Sequence, residues 1–204
     1  MIKAVIFDWG GVLLYNPSIG PKDYNAKKLG IEVNRFKKEY ALLEPDYQKG
    51  KIKEVDLWKK ICDKFKVSLP KLKSLTLEAI GKTYKTNEQV IKIAKSLKKQ
   101  GYKIGYLSNT EIPALDFFKK QNYDFLDVSV FSCLEGYIKP EKEIYEITLK
   151  KLDVKPEEAI FIDDREIHIE GAKKLGINTI LFTNAENLTK ELQIFGISIC
   201  GHSL

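Results

Sequence analysis

The chain has 204 residues, 44% hydrophobic and 30% charged, with 34 basic against 28 acidic side chains and a net charge of +6. This size allows one domain with a substantial insertion, or two small ones. Three classes are disfavoured. No apolar segment approaches the length of a membrane span, so no membrane partner is expected. The lysines alternate with acids along nearly every helix instead of clustering, so no nucleic-acid partner is expected either. The cysteines Cys62, Cys133 and Cys200 are odd in number and far apart, which suggests buried, reduced thiols and neither a zinc site nor a disulfide framework. The N-terminal apolar run lacks the pattern of a targeting segment and reads as a core strand, so a cytoplasmic location is expected. The mild positive potential favours an anionic substrate.

The run from Val5 to Phe7 has the composition of a strand buried on both faces, and it ends abruptly in Asp8, with Gly10 and Gly11 just beyond. Packing does not call for a carboxylate there. In an open parallel sheet, however, that end is where ligands bind, and the glycines let the backbone turn and approach closely. From about Pro17 to Lys85 no strand is evident. Asp23–Leu29, Val33–Leu43, Glu54–Phe65 and Pro70–Tyr84 carry helical spacing, with Pro70 as a first-turn residue behind Ser68. Phe36, Tyr40, Leu43, Leu57, Trp58, Ile61 and Phe65 are the expected core of this helical segment.

From Asn87 the rhythm alternates. Helices are expected over Asn87–Gln100, Ile112–Gln121, Glu141–Leu152, Ile167–Leu175 and Asn187–Phe195. Strands are expected over Tyr102–Leu107, Val128–Cys133, Ala159–Ile162 and Asn178–Phe182. The expected fold is therefore α/β: a Rossmann-like parallel sheet with helices on both faces, formed by residues 1–14 and 87–204. Residues 15–86 would form an inserted all-helical cap domain over the edge where Asp8 lies.

Parallel strands would gather four polar groups on one rim: Asp8, Ser108-Asn109-Thr110, Lys139 in its loop, and Asp163-Asp164. Three carboxylates close together cannot all stay ionised without positive charge. A hard divalent cation with oxygen ligands meets that need, and Mg²⁺ is the usual choice beside a phosphate. A cation, a lysine and hydroxyl or amide donors are what a transferring phosphoryl group requires, and a carboxylate can itself attack phosphorus. Taken singly, Ser108 and Asp163-Asp164 could instead cap helices, and Lys139 could be a surface lysine.

Asp8 in FDWGGVL, Ser108 in YLSNT, Lys139 in GYIKPE and the pair in FIDDREIHIEGAKKLG resemble, in order, the four motifs of the haloacid dehalogenase-like superfamily. The likeness is to the subfamily with a helical cap after the first motif, which includes sugar-phosphate phosphatases and the phosphatase domain of soluble epoxide hydrolases. The resemblance implies Asp8 as nucleophile and Mg²⁺ ligand, the Gly10 carbonyl as a second ligand, and Asp164 as a carboxylate ligand supported by Asp163. It further implies that Ser108, with the Asn109 amide, holds the phosphoryl oxygens, and that Lys139 pairs with Asp8 and the phosphate. The implied activity is Mg²⁺-dependent hydrolysis of a small phosphorylated metabolite, plausibly a sugar phosphate, through an aspartyl-phosphate.

Three residues stand outside that pattern. Typical phosphatases of the superfamily carry a second aspartate two residues after the nucleophile, as proton donor and then as base; here the position is Gly10, which has no proton to give. Glu111, Glu135, a cap residue or the substrate itself are candidate substitutes. His168, on the helix after Asp164, is expected to be partly exposed, with contact to a metal-bound water as the alternative. Trp9 either packs under the cap or narrows the entrance. His202 in the C-terminal tail is expected to play no part. Two other functions remain open: a non-catalytic binder of phosphorylated ligands, suggested by Gly10, and a metal-free dehalogenase of 2-halo acids, against which Asp163-Asp164 speaks.

Overall fold

A computed structural model describes residues 1–15, 18–71 and 73–199. Cys200 and His202 lie outside the described residues. The sheet is formed by β1 (Ala4–Phe7), β2 (Lys103–Ser108), β3 (Val128–Phe131), β4 (Ala159–Asp163) and β5 (Asn178–Leu181), in the order β3-β2-β1-β4-β5 with every pairing parallel. The expected α/β architecture is thus the observed one.

Alternate strand residues serve opposite layers, as the two-residue period of a strand requires. Val5 and Phe7 face one core with Ile104, Tyr106, Ile160 and Ile162; helices α5 (Glu88–Lys99), α6 (Ala114–Lys120) and α10 (Ala185–Ile194) cover it. Ala4 and Ile6 face the other with Leu107 and Phe161, beneath α8 (Lys142–Leu152) and α9 (Glu166–Lys173). Fully burying side chains such as Phe7 or Ile6 contributes roughly 1.5–3 kcal/mol each.

Between β1 and β2 come α1 (Pro21–Lys28), α2 (Val33–Gln48), α3 (Glu54–Phe65) and α4 (Leu75–Thr83). They share a third cluster in which Phe36, Tyr40, Leu57, Trp58 and Ile61 are buried, with Leu43 and Phe65 at its margin. The two ends of this insertion run side by side: Tyr15 N–H donates to Lys85 O at 2.8 Å and Asn87 N–H to Leu13 O at 2.9 Å.

Most boundaries shift from the sequence reading by one or two residues, and three of the differences have a clear physical cause. The fourth helix starts at Leu75, not Pro70, because the Ser74 hydroxyl accepts from Leu77 N–H at 2.9 Å while Glu54 accepts from Ser74 Oγ and Thr76 N–H. Helix α2 runs through Pro45 to Gln48, since burial of Tyr47 outweighs the one hydrogen bond the proline removes. The third strand stops at Phe131, and Ser132–Glu135 form the single-turn helix α7, which Gly136 closes in the left-handed conformation. Cys62 and Cys133 are buried free thiols, as expected. No helix among the described residues is long and apolar enough to cross a membrane.

Candidate active site

Strand register builds the site. Phe7 lies level with Ile162 on one side and Tyr106 on the other, so Asp8 emerges beside Asp163, with Ser108 one residue beyond on the opposite flank. Lys139 arrives from the loop between α7 and α8. Its ammonium is buried, donating to Asp8 Oδ1 at 2.7 Å, Asp163 Oδ2 at 2.6 Å and Leu107 O at 3.2 Å. The Asn109 side chain fixes that loop: its Nδ2 donates to Lys139 O at 3.0 Å and its Oδ1 accepts from Lys139 N–H at 2.7 Å. The Asn109 side-chain amide is therefore committed to Lys139, and its main-chain N–H is what it can offer a ligand.

Asp163 is fully buried, and both of its oxygens are engaged. Besides Lys139, Oδ1 accepts from Arg165 N–H at 2.9 Å, and His168 Nδ1 lies 3.0 Å from each oxygen. Burial alone would raise this carboxyl, but Lys139 and His168 outweigh it and pull it down to about 2. Asp8 moves the other way: burial lifts it despite Lys139, and the neighbouring Asp163 charge adds to the rise. For Lys139 the carboxylates win over burial, so its ammonium is held more tightly than usual.

His168 is buried, where a partly exposed position was expected from its helix, and burial keeps its imidazole below the usual pKa. A neutral ring donating from Nδ1 to Asp163 turns Nε2 into an acceptor. Its carbonyl accepts from Tyr145 Oη at 2.8 Å, which fixes the helix start. Trp9 is packed into the core against Tyr106, Phe117 and Phe118, with Nε1 donating to Tyr123 Oη at 3.3 Å.

Asp8, Asp163 and Asp164 each offer a carboxylate oxygen within 4.8 Å of the others. Three carboxylates against one buried ammonium leave an excess of two negative charges, the charge of a divalent cation. An all-oxygen donor set suits a hard ion such as Mg²⁺. Asp163 is already surrounded by donors, and the three carboxylates together form a donor set that fits such an ion.

Above the rim lies a cavity of about 510 Å³, lined on the sheet side by Asp8, Gly10, Ser108, Glu111, Lys139 and Asp164. Its roof comes from the insertion, with Lys22, Asp23, Lys37, Tyr40, Glu44 and Gln48. The roof charges are internally paired, Lys22 with Glu44 at 2.7 Å and Lys37 with Asp23 at 2.8 Å. The two carboxyls considered in place of the missing aspartate separate clearly. Glu135 points away, in an ion pair with Lys151, beside a separate shallow groove. Glu111 lines the cavity, and its Oε1 lies 3.4 Å from Gln48 Nε2.

One neighbour was not singled out from sequence. A side chain at Gly10 would place its Cβ 3.2 Å from the Tyr84 hydroxyl. Tyr84 thus crowds the position a Cβ at residue 10 would take, and no local motif signals a meeting of residues so far apart in the chain.

The chain matches the haloacid dehalogenase-like hydrolase family over residues 2–176. It is 30% identical to mouse acyl-CoA dehydrogenase family member 10 over 94% of its own length, spanning only 19% of that relative. It is 28% identical to a sesquiterpene phosphatase of Aspergillus oryzae, covering 94% of this chain and 95% of the relative. A HAD family enzyme of Bacteroides thetaiotaomicron, solved in complex with magnesium and inorganic phosphate, superposes with a TM-score of 0.74 at 24% identity over 90% of this chain and 95% of that one. With its parallel sheet, its motif order and a family match over most of its length, this chain belongs to the haloacid dehalogenase-like hydrolases.

Proposed function

We propose that the protein is a Mg²⁺-dependent phosphatase of small phosphorylated metabolites, sugar phosphates among them, with residues 15–86 acting as the cap that selects the substrate. The observation that carries this reading is the meeting of Asp8, Lys139 and the acidic pair at one mouth of the cavity. The names of the fungal relative and of the bacterial complex, a phosphatase and a structure holding magnesium and phosphate, support it.

In this reading Asp8, the Gly10 carbonyl and Asp164 would hold the ion, and Asp163 serves from behind by fixing Lys139 and His168. The ion supplies charge neutralisation for the phosphoryl group. Ser108 and the Asn109 main-chain N–H would hold the phosphoryl oxygens, and Lys139, whose three protons go to Asp8, Asp163 and Leu107 O, would contribute its positive charge beside them. Asp8 attacks, the P–O bond to the leaving group breaks, and water later cleaves the aspartyl-phosphate. A lysine between two carboxylates keeps Asp8 aimed without consuming its second oxygen.

The test is turnover of 4-nitrophenyl phosphate and a panel of sugar and polyol phosphates, with Mg²⁺ and with a chelator. Turnover that needs the metal and disappears in Asp8→Asn is expected. Metal-independent turnover, or full activity in Asp8→Asn, would reject the reading. Tight binding of panel members without hydrolysis would favour the non-catalytic binder that Gly10 suggests.

A further inference from the structure

We propose that Glu111 carries the proton in this site, donating it to the leaving oxygen and then accepting one from the attacking water; the proposal rests on the phosphatase reading above.

The direction of attack places the leaving group. Asp8 approaches phosphorus from the sheet edge, and in-line displacement puts the departing oxygen on the far side, towards the roof formed by α1, α2 and the end of α4. Glu111 lines the same cavity and contacts that roof. It follows Ser108 in the loop leaving β2, and it reaches up to Gln48 of α2.

The other cavity acids are committed. Asp23 is paired with Lys37 and Glu44 with Lys22. Asp8 and Asp164 face the ion site. Gly10 has no side chain, and the Tyr84 hydroxyl stands 3.2 Å from where its Cβ would be. Glu111, by contrast, has an amide as its side-chain partner and, among the described residues, no lysine or arginine within ion-pair distance.

Its surroundings keep the proton available near neutrality. Burial pushes the Glu111 carboxyl up to about 7, and the Glu44 charge adds to the rise against a weaker pull from Lys22. Also facing it are Tyr40 and Tyr47 of α2, Tyr84 beyond α4 and the Cys133 thiol of α7. All four are raised by burial, so none competes as an acid or base at neutral pH.

The steps balance. Asp8 Oδ forms its bond to phosphorus as the leaving oxygen takes the P–O electron pair and the Glu111 proton, releasing an alcohol and leaving a carboxylate. Water then attacks the aspartyl-phosphate, passes a proton to the Glu111 carboxylate, and frees Asp8 and phosphate.

The test is a series of ring-substituted phenyl phosphates at saturating Mg²⁺, from 4-nitrophenyl to unsubstituted phenyl phosphate. In Glu111→Gln, kcat should fall roughly 10²-fold or more on phenyl phosphate, but under about tenfold on the nitrophenyl ester, whose leaving group needs no proton. Slowed attack by water should also produce a burst of nitrophenol. Wild-type turnover of phenyl phosphate should decline above about pH 7, where Glu111 loses its proton, and the variant should lack that decline. Glu111→Asp should restore part of both effects. Should Glu111→Gln fail to fold, the wild-type pH profile of the two esters decides: a decline confined to the poor leaving group supports the assignment, and its absence overturns it. Equal losses on both esters with an unchanged profile would overturn the role of Glu111 alone. Absence of Mg²⁺-dependent turnover in the wild type would instead reject the phosphatase reading.

Discussion

Lys139 is the residue on which the buried charges depend. It neutralises Asp8 and Asp163 at 2.7 and 2.6 Å, out of contact with water. Replacing it with alanine leaves two buried carboxylates unpaired, at a cost of about 3–5 kcal/mol. Urea denaturation should report that loss at neutral pH, and the deficit should shrink at low pH as Asp8 takes a proton. A change below about 0.5 kcal/mol would mean that the ammonium is not the counter-charge of these carboxylates. Glu111 provides a second stability test with a defined sign. A carboxyl raised in the folded state favours folding most below its unfolded pKa, near 4.5, and that advantage is lost as pH rises through about 7. Wild-type stability should therefore fall relative to Glu111→Gln between pH 4.5 and 7, by on the order of 1–3 kcal/mol. Parallel stability curves would contradict a raised carboxyl at this position.

At the scale of elements, the end of α2 is clamped to the sheet domain. The Ser132 hydroxyl of α7 donates to Gln48 O at 2.7 Å and accepts from Thr110 N–H at 2.8 Å, and Lys49 pairs with Glu141 at 2.5 Å. Gly50 turns the chain at φ +71°, where an added Cβ would lie 2.4 Å from Cys133 O. Gly50→Ala should thus cost roughly 1–3 kcal/mol, through strain and the displaced carbonyl. Because α2 carries Tyr40, Glu44 and Gln48 over the cavity, the same change should raise KM more than it lowers kcat; steady-state kinetics beside a thermal melt separates the two effects. These clamps explain where the sequence was hard to read. Helix positions with apolar periodicity were legible. The helix starts that depend on Glu54 reaching Ser74, or the passage of α2 through Pro45, are set by partners elsewhere in the chain.

Across the whole molecule, the strand order puts the ends of β1, β2 and β4 side by side, so that acids and hydroxyls separated by long helices share one rim. That part of the site could be read from sequence, because an apolar run ending in a carboxylate is itself unusual and the topology of alternating units is nearly forced. The burial of His168 and the insertion of Tyr84 at Gly10 could not, since both depend on how layers pack against each other. The pooled negative charge predicts a metal effect on the fold. Mg²⁺ at about a hundred times its dissociation constant should stabilise the protein by about 2.7 kcal/mol. In Asp164→Asn that gain should largely vanish, as followed by thermal melts with and without the ion. The most direct measurement is mass spectrometry of protein quenched in acid during turnover of 4-nitrophenyl phosphate with Mg²⁺. If Asp8 is the nucleophile, the peptide containing it gains one phosphoryl group, and the modification is missing in Asp8→Asn and without the metal. Sustained turnover in Asp8→Asn, or a phosphoryl group carried by another residue, would contradict the role assigned to Asp8.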